Sequence, residues 1–179
     1  MNSTIGFGTL INVSHFEIRN SKLGKFNRIL GPMKLIIKSN SFIGPKNTFQ
    51  CSKWAAKKLG EESAYACSME IQENTLITGN HLFNTTGKIV IGSGSWIAGA
   101  GSQFWTHGAG SDEFEVVIGK NCYVGSAVRF SPGSAIGDNV IVGMGSVVTK
   151  KIKLNNCLLA GVPAKVAREN YDWKSKKNL

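Results

Sequence analysis

The chain has 179 residues, enough for one domain and a small appendage. Apolar residues make up 42% of it and charged residues 18%, a balance that excludes a disordered chain. Its net charge of +10 calls for an anionic partner. Nucleic acid is disfavoured, because no RNA-recognition, helix-turn-helix or zinc-finger motif occurs. Since there is also no export signal and no run of about 18 apolar residues, we expect a soluble, cytoplasmic protein.

A six-residue repeat runs through the second half of the chain. Its period is neither that of a helix nor that of an alternating strand. It predicts short strands joined by corners of small residues, with three sixes to a triangular turn and residues eighteen apart in direct contact. We therefore predict an all-β fold, a parallel β-helix. The apolar residues of the repeat are Ile118, Val124, Phe130, Ile136, Val142, Val148, Leu154 and Ala160.

Two segments interrupt the repeat, and a third ends it. Residues 54–70 have a helix-forming composition, and residues 108–115 are polar and rich in glycine. They predict irregular insertions in a β-helix domain that spans residues 1–163, and long excursions from a rigid scaffold are where function tends to lie. After Pro163 the hexads stop, and residues 164–179 predict a short C-terminal helix with a basic tail that caps the last coil.

The stretch from Ile136 to Gly161, followed by VPAKVARE, resembles the hexapeptide-repeat acyltransferase family, and within it the sugar and polysaccharide O-acetyltransferases. The resemblance implies a left-handed β-helix, against the usual right-handed preference of crossover connections. It also implies a homotrimer with clefts between subunits, acetyl-CoA as the acyl donor, and a saccharide acceptor. The expected function is transfer of acetyl to a sugar hydroxyl in surface polysaccharide or antigen biosynthesis.

The general base that the resemblance implies is His107, which directly precedes the second insertion in FWTHG. An imidazole suits proton removal from a hydroxyl near neutral pH. Gly108 stands where family members carry proline or a second histidine, which alters the path of the loop. Of the other histidines, His15 lies in a plain hexad and is expected to be structural. His81 is a candidate for supporting His107.

Three residues are expected at the acceptor site. Asn80 either hydrogen-bonds the sugar, as the resemblance implies, or belongs to a column of asparagines at the coil corners. Trp105 either stacks on a sugar ring or packs at a corner or a trimer contact. Asp112, with Glu113, either fixes the tautomer of His107 or is a solvated loop acid.

Six residues are expected to bind acetyl-CoA by resemblance. Two lie beside the pantetheine arm, two follow them, and a basic pair meets the 3′-phosphate through charge-assisted contacts. The basic pair could equally be a solvated face of the terminal helix. The positions are, in chain order, Ser126, Met144, Thr149, Lys150, Lys165 and Arg168.

Two other functions are left open by the sequence. One is a non-catalytic trimeric scaffold or membrane-surface adaptor, with the basic tail at Lys174–Lys177 docked on anionic lipid. The other is a metalloenzyme like the β-helical carbonic anhydrases, which needs three histidines on one metal. The histidines here are 66 and 26 residues apart, and no CxxC pair occurs. We therefore expect no metal site.

Overall fold

The computed structural model describes residues 2–54 and 65–175, and their regular secondary structure is almost entirely short strands. The interior of the first insertion and the end of the basic tail, including Lys176 and Lys177, lie outside the described residues. The strands are β1 (Thr4–Ile5), β2 (Leu10–Ile18), β3 (Lys22–Leu23), β4 (Arg28–Ile37), β5 (Phe42–Ile43), β6 (Thr48–Gln50), β7 (Ser68–Ile71), β8 (Leu76–Ile77), β9 (Leu82–Asn84), β10 (Lys88–Ile91), β11 (Trp96–Ile97), β12 (Gln103–Phe104), β13 (Glu115–Ile118), β14 (Tyr123–Val124), β15 (Arg129–Phe130), β16 (Ala135–Ile136), β17 (Val140–Val142), β18 (Val147–Val148), β19 (Lys151–Ile152), β20 (Cys157–Ala160) and β21 (Lys165–Arg168).

The strands wind into a three-sided coil, which confirms the predicted parallel β-helix. Face A is the parallel series β1, β3, β5, β8, β11, β14, β17 and β20. Face B begins with the first half of β2 and of β4 and continues through β6, β9, β12, β15 and β18. Face C begins with the second half of β2 and of β4 and continues through β7, β10, β13, β16 and β19. The chain passes from face A to B to C in every turn, so each face meets its neighbours at an A–B, a B–C and a C–A corner.

The strand β4 serves two faces because it bends at the B–C corner. Its residues 28–30 pair with β6, and its residues 34–37 pair with β7. The bend is at Gly31, where φ is 104°. A Cβ at this position would lie 2.1 Å from the carbonyl oxygen of Cys51 on the next coil, so only glycine allows the coils to approach this closely.

The interior of the coil is apolar on all three sides. On face B, inward phenylalanines stack with ring centroids 4.7–5.0 Å apart: Phe49, Phe83, Phe104 and Phe130. Faces A and C contribute ladders of buried aliphatic residues, for example Ile43, Ile77 and Ile97 on face A. Each coil therefore buries its apolar edge on the next, and the stacked rings add to this a geometry that favours aromatic pairs.

Polar side chains line the inside of the A–B corner in a column. Each accepts a hydrogen bond from a backbone N–H of the following coil: Asn27 from Asn47, Asn47 from His81, and His81 Nδ1 from Ser102 at 3.1 Å. This column satisfies buried corner amides that the strand ladders leave unpaired. His81 is thus a buried structural residue, and its burial lowers its pKa to about 4.

The predicted stacking distance of eighteen residues holds from β13 to β18. Ile118 pairs with Ile136, and Val124 pairs with Val142. The last coil is shorter, because Ile136 pairs with Ile152 and Val142 with Leu159. The prediction that Leu154 and Ala160 continue the core repeat is therefore wrong: both are exposed, and Ile152 and Leu159 are buried instead.

The predicted C-terminal helix is also wrong. The chain turns at Gly161, where φ is 102°, and returns as β21, antiparallel to β20. The free edge of β20 supplies backbone partners, and pairing with it outweighs the helical tendency of the sequence. Beyond β21, Trp173 packs between Trp96 and Tyr123 and donates from Nε1 to the carbonyl of Asn121 at 2.7 Å. Among the described residues, no helix is long and apolar enough to cross a membrane.

Candidate functional site

Both interruptions of the coil leave it at the B–C corner. The first lies between β6 and β7 and the second between β12 and β13, whereas the coil between them turns tightly after Asn84. Within the first, Lys53 and Trp54 are helical. The two excursions contact each other: the rings of Trp54 and His107 are 6.0 Å apart, and those of Tyr65 and Phe114 are 4.7 Å apart. The site is therefore assembled from three successive coils at one corner.

The imidazole of His107 is oriented by Asn84. Its Nδ1 lies 3.1 Å from Asn84 Oδ1, and the same oxygen accepts the backbone N–H of Thr86 at 3.3 Å. Because a backbone N–H can only donate, the amide atom at this position is the oxygen. His107 Nδ1 must then carry the proton and donate it, which leaves the lone pair on Nε2. The ring is thus held in the tautomer that a general base requires.

Asn84 is itself held firmly. It is buried, and Thr106 Oγ1 donates to the backbone carbonyl oxygen of Asn84 at 2.8 Å. The same hydroxyl accepts the backbone N–H of Gly87 at 2.7 Å. The sequence analysis missed Asn84 and placed the supporting role on His81, Asp112 or Glu113. A signal existed, because Asn84 lies 23 residues before His107, close to the 21 residues that separate the paired Phe83 and Phe104 of the same two coils.

Of the three expected acceptor residues, Trp105 lies beside His107 in the chain. It follows β12 on the outer side of face B, and its Nε1 donates to Gln103 Oε1 at 3.2 Å. Asn80 lies at the A–B corner instead, with φ of 62°, and its carbonyl accepts the N–H of Gly101. This position matches the asparagine-at-a-corner alternative, four residues before the asparagine that contacts His107.

Asp112 lines a surface cavity of about 530 Å³ beside the second excursion, together with Thr149 and Lys150. The neighbouring Glu113 does not contact His107 in the described structure but forms an ion pair with Lys151, at 2.7 Å. This hydrogen bond raises the pKa of Lys151. The structure therefore brings one of the expected acceptor residues together with two of the expected cofactor residues.

The other expected cofactor residues lie elsewhere on the coil. Ser126 and Met144 are on adjacent coils of the A–B corner, where the N–H of Gly145 donates to the carbonyl of Ser126 at 2.9 Å. Met144 is 79% exposed. Lys165 and Arg168 lie on β21, which borders face A, and Arg168 stacks on Tyr171. The six residues thus fall into two groups: Thr149 and Lys150 at the B–C corner, and the other four at the A–B corner or on β21 beside face A.

The cations of these groups fit a polyphosphorylated molecule. Across residues 2–54 and 65–175, no carboxylate lies within ion-pair distance of Lys150, Lys165 or Arg168. All three are exposed. The same part of the chain contains no cluster of three histidine, cysteine or carboxylate side chains suited to a metal ion. Both ring nitrogens of His81 are engaged, by Ser102 and Thr78.

The chain resembles known transferases in sequence. Residues 115–150 match the bacterial transferase hexapeptide model, which describes six repeats. A galactoside O-acetyltransferase of Escherichia coli is 49% identical over 59 residues, 33% of this chain and 29% of the relative. A protein of the same organism named for O-acetyl transfer in lipopolysaccharide biosynthesis, WbbJ, is 43% identical over 61 residues, 34% of this chain and 30% of the relative. The chain thus spans less than a third of the length of these curated relatives.

The fold is that of solved acetyltransferase structures. The crystal structure of the polySia specific acetyltransferase NeuO superposes with a TM-score of 0.56 at 21% identity, over 99% of this chain and 92% of that one. The chain therefore carries a bacterial transferase hexapeptide repeat, within a left-handed parallel β-helix of the kind found in hexapeptide-repeat acetyltransferases.

Proposed function

We propose that the protein is an acetyl-CoA-dependent acyltransferase that acetylates a sugar hydroxyl, with His107 as the general base. The hydrogen bond from His107 Nδ1 to Asn84 Oδ1 carries this proposal, because it leaves Nε2 ready to accept a proton. The names of the two curated relatives support a sugar acceptor and a place in surface polysaccharide synthesis. The site of action we propose is the cytoplasm, where acetyl-CoA is available.

The residues of the chain have distinct tasks in this reaction. Acetyl-CoA, when bound, supplies the acetyl group as a thioester. His107 Nε2 removes the proton of the acceptor hydroxyl as the hydroxyl oxygen attacks the thioester carbonyl carbon. The C–S bond then breaks, and His107 can return the proton to the departing CoA thiolate. Asn84 stabilises the imidazolium by accepting from Nδ1 throughout. Trp105 offers a flat ring to the acceptor beside the base, and Asp112 lines the cavity next to it.

The cofactor-binding residues would hold acetyl-CoA along face B. Lys150, Lys165 and Arg168 would contact its phosphates, and the exposed corner at Ser126 and Met144 would lie along the pantetheine arm. Because Thr149 and Lys150 are on the opposite edge of face B from that corner, a complete site is best formed between two chains. This division supports the proposed homotrimer, with the two groups contributed by neighbouring subunits.

The base is tested by measuring thiol release from acetyl-CoA with a panel of sugars, nucleotide sugars and lipid-linked oligosaccharides. His107→Ala should lower kcat by about a hundredfold or more and leave acetyl-CoA binding unchanged. His15→Ala is the matched control, because His15 lies on β2 in the first coil, whereas His107 follows β12. A His107→Ala rate near that of the parent protein would end the proposal.

The shared site is tested by mixing two inactive variants, His107→Ala and the double variant Lys165→Glu/Arg168→Glu. If neighbouring subunits contribute the two groups, mixed trimers contain intact sites and regain activity. Activity that stays absent after mixing, in particles confirmed as mixed trimers by light scattering and mass spectrometry, would place both groups in one chain.

A further inference from the structure

We propose that the A–B corner of the first coils is a docking surface for an anionic lipid membrane. This aromatic–basic corner consists of Phe7, Lys25, Phe26, Arg28 and Lys46. It lies at the opposite end of the coil from Met144 and the terminal strand. The proposal does not depend on the transferase reaction, because it concerns binding alone.

The positive charge of the protein is concentrated at this end. Residues 2–54 contain eight lysines and arginines against a single carboxylate, whereas residues 65–175 contain nine against eight. The single carboxylate, Glu17, lies on face C and is paired with Arg19. Within residues 2–54, no acidic side chain therefore lies on this corner or on the parts of faces A and B next to it to offset its charge.

The backbone of this corner is left-handed in every coil. The residues at the bend are Gly8, Phe26, Lys46, Asn80, Gly101, Ala127 and Gly145, with φ between 55° and 77° in each. Glycine and asparagine adopt this conformation readily, whereas a bulky side chain does so at a cost. Phe26, at 57°, and Lys46, at 59°, are the large residues of the column, and they stand side by side. Such strain on an exposed residue points to a binding role.

The two phenylalanines form an apolar ridge rather than part of the core. Phe7 is 78% exposed and Phe26 is 49% exposed. Their rings meet edge to face with centroids 5.8 Å apart. An aromatic pair with this much exposed ring surface adds little to folding, and burial against an outside partner would remove that surface from water.

Cations flank the ridge on both sides. The N–H of Lys46 donates to the carbonyl of Lys25 at 3.0 Å, so these lysines occupy adjacent coils of the same corner. Arg28 points outward from the neighbouring strand on face B and is exposed. Exposed aromatic rings between lysines and arginines are typical of surfaces that bind the interface of an anionic membrane.

A lipid surface fits this corner better than the other candidate partners. A contact with a second copy of the chain would desolvate several lysines, which protein interfaces generally exclude. A single saccharide chain is usually held in a concave site, whereas the aromatic–basic corner is a convex edge of the prism. A convex ridge that is apolar at its crest and basic along its sides matches a flat anionic surface.

The test is cosedimentation with vesicles of phosphatidylcholine, with and without about a third of phosphatidylglycerol. Anionic vesicles should bind at least about tenfold more tightly than neutral ones. Phe26→Asn should weaken binding about tenfold without loss of stability, because Asn80 already occupies the same corner position. Lys25→Ala/Arg28→Ala/Lys46→Asn should weaken it about a hundredfold.

The matched control is Lys120→Ala/Arg129→Ala/Lys153→Ala, which removes the same charge from exposed positions of the later coils. It should bind nearly as well as the parent chain. Equal loss in the two triple variants would reduce the effect to net charge and overturn the proposal. Unchanged binding of Phe26→Asn would overturn it, as would a change in oligomer size, which would assign the corner to a contact between copies. Thiol release with a soluble sugar should be unchanged in Phe26→Asn and in Lys25→Ala/Arg28→Ala/Lys46→Asn, so failure here is separate from failure of the proposed reaction.

Discussion

The uninterrupted coils of residues 115–148 and the interrupted coils before them share one set of faces but differ at one corner. In the first group, strands pair at a constant distance of eighteen residues, as between Phe130 and Val148. In the second, the distance rises to 34 residues between Phe49 and Phe83 and to 26 between Phe104 and Phe130. The phenylalanine stack nevertheless crosses both interruptions with nearly the same spacing, and it ends at Phe130 on the first uninterrupted coil. The pairing of strands is therefore unaffected by the insertions at the B–C corner. This corner can accordingly carry the residues of the candidate site.

The largest expected effect comes from cutting the stack in each group. Phe104→Ala and Phe130→Ala should each lower the free energy of unfolding by about 3–5 kcal/mol, since both rings are fully buried. Denaturant unfolding measures this loss. Because Phe104 directly precedes Trp105 and Thr106, only Phe104→Ala should also lower kcat at a temperature where both variants are folded. Equal kcat values for the two variants would remove the distinction between the groups.

The next effect concerns pH. Burial lowers the pKa of His81 to about 4 from its usual 6.5, so below pH 6.5 the unfolded chain binds a proton that the folded chain refuses. The contribution to stability is complete above pH 6.5 and is lost as the pH falls toward 4, by about 3 kcal/mol in total. Asn27 and Asn47 show that an amide serves equally in this column.

The comparison that isolates this effect is between the parent chain and His81→Asn. Unfolding free energies measured from pH 7 to pH 4 should fall more steeply for the parent chain. Since the corresponding corners of the uninterrupted coils carry Val128 and Ser146, this pH dependence originates in the interrupted group alone. Parallel curves for the two proteins would show that His81 is not buried in its neutral form.

The smallest expected effect is on the orientation of the base. Asn84→Leu should lower kcat about tenfold to a hundredfold with little change in KM, because His107 loses the acceptor that fixes its tautomer. Asn84→Asp keeps an acceptor and should recover much of the rate, with the pH profile of kcat shifted upward by the added negative charge. Ser131→Ala is the matched control, since Ser131 takes the position of Asn84 in the uninterrupted coils. An Asn84→Leu rate within twofold of the control would deny Asn84 its positioning role.

Sequence alone predicted the regular part of the fold and the position of His107 at an interruption of the coil. Hexads such as Ile118 and Val124 are informative because each fixes an inward position, and the break after His107 marked the corner that carries this proposed base. The sequence indicated only that Asn84 lies about one coil before His107, because which asparagine meets the ring depends on the exact register of that coil. Asn80, only four residues earlier, lies at a different corner of the prism.

The end of the chain was mispredicted for a different reason. Residues 164–177 have an amphipathic pattern, but helix propensity is a weak local preference. The last strand of a β-helix leaves a row of unpaired backbone groups, and a returning segment that pairs with them gains more. Trp173, docked between Trp96 and Tyr123, adds buried aromatic area that a helix on the open end would not reach.

The closed base of the first excursion has an evolutionary consequence. Cys51 and Cys67 approach to 3.0 Å between their sulfurs, and the N–H of Thr85 donates to the carbonyl of Gln50 at 2.8 Å. The two ends of the first excursion thus lie close together, and the backbone pairing of the coil continues at its base. Segments of different length and composition can be exchanged at this junction without altering the pairing below. Related proteins could acquire specificity for new acceptor substrates by replacing the segment between β6 and β7 while the rest of the coil stays unchanged.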